Sequence, residues 1–322
     1  MYILDFGLSQ EWKWKNTRQV RRNFIDNTHK IGMIGLDTSH CGAFADLLNN
    51  ESNPHHVKGS QIVVAYPGGS DAFSMSKDRV ENITAEMKDK YNIPIVNTIE
   101  EAAENVDGIL LESVDGRQHL EQFEKIAKFG KPVFIDKPFA TSKSDAVKIL
   151  ELSEKYNSPV YSCSSIRYSS GVAELAENQK VMGCEAFGPM AILEDFPGLF
   201  WYGIHSAEVL FSKMGRGCRE VVVRHTETSD VVTGIWNDGR VGTLYGHRIK
   251  DMYDFGCTVF TDSSILHGVA KGEPPYYALM MPHIVEFFRT GKSPIDLKET
   301  LEIISFLEAA NESRKTGKSV QL

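Results

Sequence analysis

The stretch Gly130-Lys131-Pro132-Val133-Phe134-Ile135-Asp136-Lys137-Pro138-Phe139 leaves the chain few folds to choose from. Val133, Phe134 and Ile135 are apolar without alternation, so a strand here buries both faces, as strands do in a parallel sheet covered by helices on either side. Gly130, Pro132 and Pro138 punctuate its ends. Lys137 then stands just past the carboxyl end of the strand, the edge of a doubly wound sheet where ligands sit. A lysine partly withdrawn from water there suits acid–base chemistry, although a solvated lysine in an ordinary strand-to-helix loop has the same local sequence.

The same alternation runs through the first half of the chain. Strands are expected at 31–35, 61–65, 93–96, 107–111, 133–135 and 159–163, and helices at 41–50, 77–91, around 100–104, 118–129 and 142–156. Joined by right-handed crossovers, they form an α/β fold with a Rossmann-like doubly wound parallel sheet over 31–160. Residues 161–322 read as an α+β domain with a mostly antiparallel open sheet. A helix is expected at 172–180, strands at 190–196, 220–226, 231–236, 241–247 and 258–261, and helices at 278–288 and 298–314. Asn237-Asp238-Gly239 marks a hairpin turn, and Leu297, Leu301, Ile304, Phe306 and Leu307 form a core stripe.

With 322 residues, 42% of them hydrophobic and 24% charged, the chain can bury two ordinary cores. A net charge of -8 provides no electrostatic footprint for nucleic acid or an anionic membrane, and no apolar run approaches the roughly 20 residues that span a bilayer. Cys41, Cys163, Cys184, Cys218 and Cys257 are odd in number and scattered, which suits free thiols in a reducing cytoplasm. Residues 1–30 form a separate arm. Its Arg21-Arg22-Asn23-Phe24 lacks the apolar stretch of about 7–15 residues that an export signal requires, and Trp12 and Trp14 suggest packing on the body or on a neighbouring subunit.

Gly-Lys-Pro-Val-Phe-Ile-Asp-Lys-Pro resembles the signature of the Gfo/Idh/MocA oxidoreductases (glucose-fructose oxidoreductase and inositol dehydrogenase-like), which carry Glu-Lys-Pro where this chain has Asp136-Lys137-Pro138. A glycine-containing strand-turn-helix upstream and Gly203-Ile204-His205-Ser206-Ala207-Glu208 downstream follow the family's order, and the resemblance covers 31–322. It implies NAD or NADP as cofactor, a sugar or polyol as substrate, and a homo-oligomer, dimer or tetramer, paired through the C-terminal sheet.

The first loop departs from the dinucleotide fingerprint Gly-x-Gly-x-x-Gly, reading Gly35-Leu36-Asp37-Thr38-Ser39-His40. Asp37 would bring a carboxylate near the diphosphate, costing about 1 kcal/mol or more unless it is turned away or paired, and His40 takes the helix-packing position. Thr38 and Ser39 offer compensating hydroxyls. The second strand ends Ala65-Tyr66-Pro67-Gly68-Gly69-Ser70-Asp71, without an acid at its tip for the adenosine ribose, leaving Asp71 as a displaced candidate. Asp136 and His119 complete the expected cofactor set; for His119, a helix-start histidine satisfied by backbone is the stronger reading. Asp115 and Arg117 would put two charges near where a nicotinamide lies, or else neutralise each other as a surface pair.

Dehydrogenation of a secondary alcohol needs a group beside the hydroxyl that takes its proton as hydride leaves carbon. By resemblance Lys137 and His205 share that role. The family's aspartate four residues before the histidine is Trp201 here, so Tyr202 is the candidate replacement as a proton relay. Arg167, Asp195 and Trp201 are candidate substrate contacts, Trp201 through stacking on a sugar face; an arginine paired with a carboxylate, a solvated aspartate and a core tryptophan would look the same. His205 and Glu208 have metal-compatible spacing without further ligands, so no metal is expected. The reading that follows is an NAD(P)-dependent oxidoreductase acting on a sugar, sugar derivative or polyol. The alternatives are a cofactor-cycling lyase or hydrolase and a non-enzymatic sugar-binding homologue without nicotinamide.

Overall fold

The computed structural model describes residues 28–322. The expectations for the arm, including Trp12 and Trp14, fall on 1–27 and lie outside the described residues.

The first half alternates as β1 (His29–Ile34), α1 (His40–Asn49), β2 (Ser60–Tyr66), α2 (Ser74–Asp89), α3 (Ile99–Glu104), β3 (Gly108–Leu111), α4 (His119–Ile126), β4 (Val133–Ile135), α5 (Lys143–Tyr156) and β5 (Val160–Tyr161). The strands form one parallel sheet in the order β2-β1-β3-β4-β5. Every residue of β3 and β4 is buried, as the unbroken apolar runs require. Local chemistry sets the helix ends: Thr98 and Glu101 make a capping box on α3, while Ser142 caps α5 and Asn157 closes it in the left-handed region. The strand expected at 93–96 shrinks to a single bridge between Ala65 and Ile95, because Pro94 has no N–H to continue a ladder.

The second half contains β6 (Val181–Pro189), α6 (Phe200–Met214), β7 (Cys218–His225), β8 (Ser229–Trp236), β9 (Val241–His247), β10 (Gly256–Thr261), β11 (Ile265–Val269), α7 (Tyr276–Thr290), α8 (Leu297–Thr316) and β12 (Val320–Gln321). These strands make a mixed sheet in the order β11-β10-β6-β9-β8-β7-β12, antiparallel except between β6 and β9. Helices α6 and α8 cover one face, where the Phe211 ring lies 5.5 Å from both Trp236 and Phe306. The other face exposes Val241, Tyr245, Phe260 and Ile265.

Two expected elements differ. Residues 172–180 form successive turns rather than a helix, with Ala176 and Asn178 at φ 58° and 60°, where helical hydrogen bonding cannot propagate. The strand expected at 190–196 lies earlier, at β6, and the chain leaves the sheet after Pro189, which lacks a donor.

The two sheets lie on either side of a boundary near residue 160, and one hydrophobic core draws on both halves of the chain. Helix α7 returns from the C-terminal half, and its Met280, Met281, Ile284, Phe287 and Phe288 join Ile31, Met33, Leu110 and Phe134 in one cluster. A Cβ on Gly108 would come 2.6 Å from the Phe288 ring, so this position in β3 admits only glycine. The return brings Tyr276 and Tyr277, at the start of α7, to the carboxyl edge of the parallel sheet. Among the described residues no helix is long and apolar enough to cross a membrane, and all five cysteines are buried and free.

Candidate functional site

A cavity of about 450 Å³ opens between the carboxyl edge of the parallel sheet and the second half of the chain. Thr38, Ser39 and His40 line it from the start of α1, Lys137 from the end of β4, Trp201, Tyr202 and His205 from α6, and Phe255, Tyr276 and Tyr277 from later segments. The structure thus brings Lys137, His205, Tyr202 and Trp201 together around one space.

The Lys137 side chain is 11% exposed, with Nζ 4.0 Å from Asp136 Oδ2 and 5.9 Å from the centre of the Trp201 ring. His205 Nδ1 lies 2.6 Å from Ser164 Oγ, and that oxygen accepts from the Ile166 amide at 3.1 Å, which fixes its place under the imidazole. Burial, followed by the nearby Lys137 and His40, holds the His205 imidazole well below its ordinary range. It is neutral near pH 7 and able to take a proton. Tyr202 interrupts α6 at φ 61°, a left-handed conformation that costs a bulky residue of order 1–3 kcal/mol. Its ring stacks on Phe255 at 6.3 Å and stands 5.6 Å from His205. Trp201 packs edge-on to Phe73 and Phe196, each 5.4 Å away, so it joins the two halves of the chain as well as facing the cavity.

The first loop keeps the turn but not the fingerprint. Gly35 has φ +88°, and a Cβ there would lie 2.4 Å from the Ser113 amide nitrogen. Leu36 is buried behind it. Asp37 is fully buried and turned away from the cavity: Oδ1 accepts from the Val114 amide at 2.9 Å and Oδ2 from Ser76 Oγ at 2.6 Å. Burial raises its pKa, and these hydrogen bonds oppose the rise. The loop after β2 is tied across the same turn, since the Leu36 amide donates to Pro67 O at 2.6 Å and Ser70 Oγ to Asp115 Oδ2 at 2.7 Å. Arg117 Nε donates to Asp115 Oδ1 at 2.8 Å, so of the two readings of these charges the structure has the neutralising pair.

Three expected contacts stand outside the cavity. The Arg167 guanidinium is engaged by Glu208, at 2.9 Å, and by Glu299, in a nearly buried network that leaves it no free fork for substrate. Asp195 is half-buried; its Oδ2 accepts from the Ser74 amide at 2.8 Å and Ser74 Oγ at 2.7 Å at the start of α2. The His119 ring nitrogens lie 2.8 Å from Ser113 O and 3.0 Å from Pro138 O, pinning the loop after β3 to the loop after β4.

Beneath the cavity floor, His40 Nδ1 lies 2.9 Å from Asp136 Oδ2 and 4.0 Å from Glu112 Oε2. Glu112 was not among the residues sequence reasoning singled out. Its signal is positional, because Glu112 ends β3 as Asp136 ends the neighbouring β4. Burial, then repulsion from Asp136, pushes the Glu112 carboxyl well up, while His40 and Lys137 outweigh burial at Asp136 and hold it down at about 2. Phe255, Tyr276 and Tyr277 carried no local signal, since their place depends on chain return.

The residues fit the diphosphate side of a dinucleotide. The Gly35 turn is preserved, Asp37 presents no carboxylate to the cavity, and Thr38, Ser39 and Arg79 line it at the amino end of α1. The adenosine side differs, for β2 ends at Tyr66-Pro67 and Asp71 is exposed beyond it.

Residues 30–162 match the oxidoreductase family with an NAD-binding Rossmann fold, Gfo/Idh/MocA. No curated protein matches the chain. Among solved structures, the fold is shared with myo-inositol dehydrogenase from Lactobacillus casei, crystallised with NAD(H) and myo-inositol, at 14% identity and a TM-score of 0.73 over 92% of this chain and 97% of that one. It is shared equally with myo-inositol 2-dehydrogenase from Lactobacillus plantarum, at 16% identity and a TM-score of 0.73 over 92% and 100% of the two chains. GenD2 of gentamicin A biosynthesis, crystallised with NAD, superimposes at 13% identity with a TM-score of 0.74 over 92% and 97%.

Proposed function

We propose that the chain, whose residues 30–162 match the Gfo/Idh/MocA family, is an NAD(P)-dependent oxidoreductase acting on a secondary hydroxyl of a sugar, sugar derivative or polyol. The observation that carries this reading is the convergence of Lys137 and His205, from separate halves of the chain, on one cavity beside the start of α1. The family is NAD-binding, and relatives of the same fold were crystallised with NAD(H).

Nicotinamide, when bound, supplies the hydride acceptor. Thr38, Ser39, Arg79 and the amino end of α1 would hold its diphosphate. The neutral imidazole of His205, held by Ser164, takes the hydroxyl proton, while the Lys137 amino group hydrogen-bonds the same oxygen and favours the developing alkoxide. Tyr202 replaces the family's aspartate as a relay to His205. Trp201 offers its face to the apolar side of a sugar ring, and the aromatic wall of Phe255, Tyr276 and Tyr277 excludes water from the reacting carbon. The exposed sheet face around Val241, Tyr245 and Phe260 pairs subunits in a homo-oligomer, and the compartment is the cytoplasm.

NADH and NADPH fluorescence titrations, followed by a sugar and polyol panel read as nicotinamide absorbance, test this directly. Saturable binding of one nucleotide and turnover of at least one polyol are expected. A chain that binds neither nucleotide ends the dehydrogenase reading.

A further inference from the structure

We propose that His40, Glu112 and Asp136 form a binding site for one divalent transition-metal ion of the Zn²⁺ or Mn²⁺ class, with its open coordination positions turned towards the cavity that holds Lys137 and His205. One ligand atom from each residue lies within 4.8 Å of the other two, a spread that small shifts bring to the coordination shell of an ion bonded at about 2.0–2.2 Å. The three residues come from rigid places: the first turn of α1 and the carboxyl ends of the adjacent strands β3 and β4.

Their hydrogen bonding is what singles them out. Glu112 is 0% exposed, Asp136 1% and His40 7%. Both oxygens of Glu112, Oδ2 of Asp136 and Nδ1 of His40 are nevertheless without a hydrogen-bond partner. His40 Nδ1 and Asp136 Oδ2 approach to 2.9 Å yet are not aligned as donor and acceptor. An ordinary histidine–aspartate pair would aim the N–H at the oxygen, and would still leave Glu112 bare. A cation between the three satisfies all of them, because each atom offers it a lone pair.

One imidazole and two carboxylates form a borderline-to-hard donor set that suits Zn²⁺ or Mn²⁺ and leaves positions for water or for substrate oxygens. Of the three ligands His40 lines the cavity, and Lys137, whose Nζ is 4.0 Å from Asp136 Oδ2, lines it beside them, so an open position on the His40 side of the ion would meet vicinal hydroxyls or a carbonyl entering there. There the ion would act as a Lewis acid on the substrate oxygen. The His40 ring is oriented by Phe44 and Tyr277, whose centres are 5.9 and 4.9 Å away.

The site is tested on the full chain, stripped with a chelator and titrated with Mn²⁺ or Zn²⁺ by calorimetry in the absence of nicotinamide, so its outcome is separate from that of the dehydrogenase reading. One equivalent should bind, and Glu112→Gln and Asp136→Asn should each weaken binding by more than about 100-fold, beyond the effect of losing an outer-sphere partner. Pulsed EPR of the Mn²⁺-loaded wild-type chain, which needs no variant to fold, should show coupling to one imidazole nitrogen. Absence of a bound equivalent, unchanged affinity in both variants, or a Mn²⁺ spectrum without nitrogen coupling overturns the proposal.

Discussion

The Val114 amide donates to Asp37 Oδ1 across 2.9 Å, so the turn after β1 is fastened to the loop after β3 by a buried carboxylate. In a dinucleotide fold an aspartate at this position is expected to repel the diphosphate. Here it serves as a cross-link, with Ser76 Oγ on its second oxygen.

Removing that cross-link should therefore cost stability instead of improving cofactor binding. Asp37→Gly leaves the Val114 amide and the Ser76 hydroxyl without their acceptor, a loss of roughly 2–4 kcal/mol by analogy with buried hydrogen bonds to charged groups. Urea denaturation should show the decrease, with Asp37→Asn keeping part of the stability because its amide oxygen still accepts. A variant as stable as the parent that binds NADH more tightly would contradict this.

Arg167 should behave as a structural residue. Truncation to alanine strands Glu208 and Glu299, both largely buried, and breaking such a network typically costs about 3–5 kcal/mol. Arg167→Lys, which keeps the charge but loses the fork, should recover part of the stability with KM for any polyol unchanged. A KM raised severalfold at parental stability would return Arg167 to the substrate.

How much of this was legible follows from where the information lies. Strand β4 and Lys137 could be read locally, because an apolar run bounded by glycine and prolines has one natural setting. His205 was legible only through its position in a longer pattern. Arg167 was not, since its partners stand 41 and 132 residues away and no local feature says a guanidinium is already engaged. The convergence of His40 with Glu112 and Asp136 depends on β3 and β4 being neighbours, and becomes visible only once the strand order is known. The turns at 172–180 hide for another reason: Val172, Leu175 and Ala176 keep a helical period while Ala176 and Asn178 adopt positive φ.

The depressed His205 pKa gives the fold a defined acid sensitivity. The unfolded chain binds a proton here below its ordinary value of 6.5, while the buried imidazole resists protonation until the pH is well below that value. Stability rises with pH wherever the unfolded state binds more protons, so this contribution is complete above pH 6.5 and is lost as the pH falls beneath it. Melting temperatures measured between pH 8 and 5, a range of about three units around the ordinary histidine value, should fall on the acid side. His205→Gln should flatten the fall, and an identical slope in that variant would remove His205 as its source.

Lys137 and Tyr202 should separate chemistry from folding. Lys137→Met retains most of the side chain's bulk and removes the amino group proposed to stand beside the reacting oxygen, so kcat on a responsive polyol should fall by about 10²–10⁴ with little change in Tm. Tyr202→Phe is the finer test. The ring's stacking on Phe255 and its strained backbone are kept, and only the hydroxyl is lost. If that hydroxyl relays a proton with His205, kcat should drop by roughly tenfold or more, a change in barrier of about 1.4 kcal/mol or greater, with KM for nicotinamide unaltered. The drop should be steepest at low pH, where His205 alone is least able to take the proton. A Tyr202→Phe enzyme with parental kcat across the pH range would mean that the strain at φ 61° serves to seat the aromatic wall, and that the proton leaves through Lys137 and His205 without it.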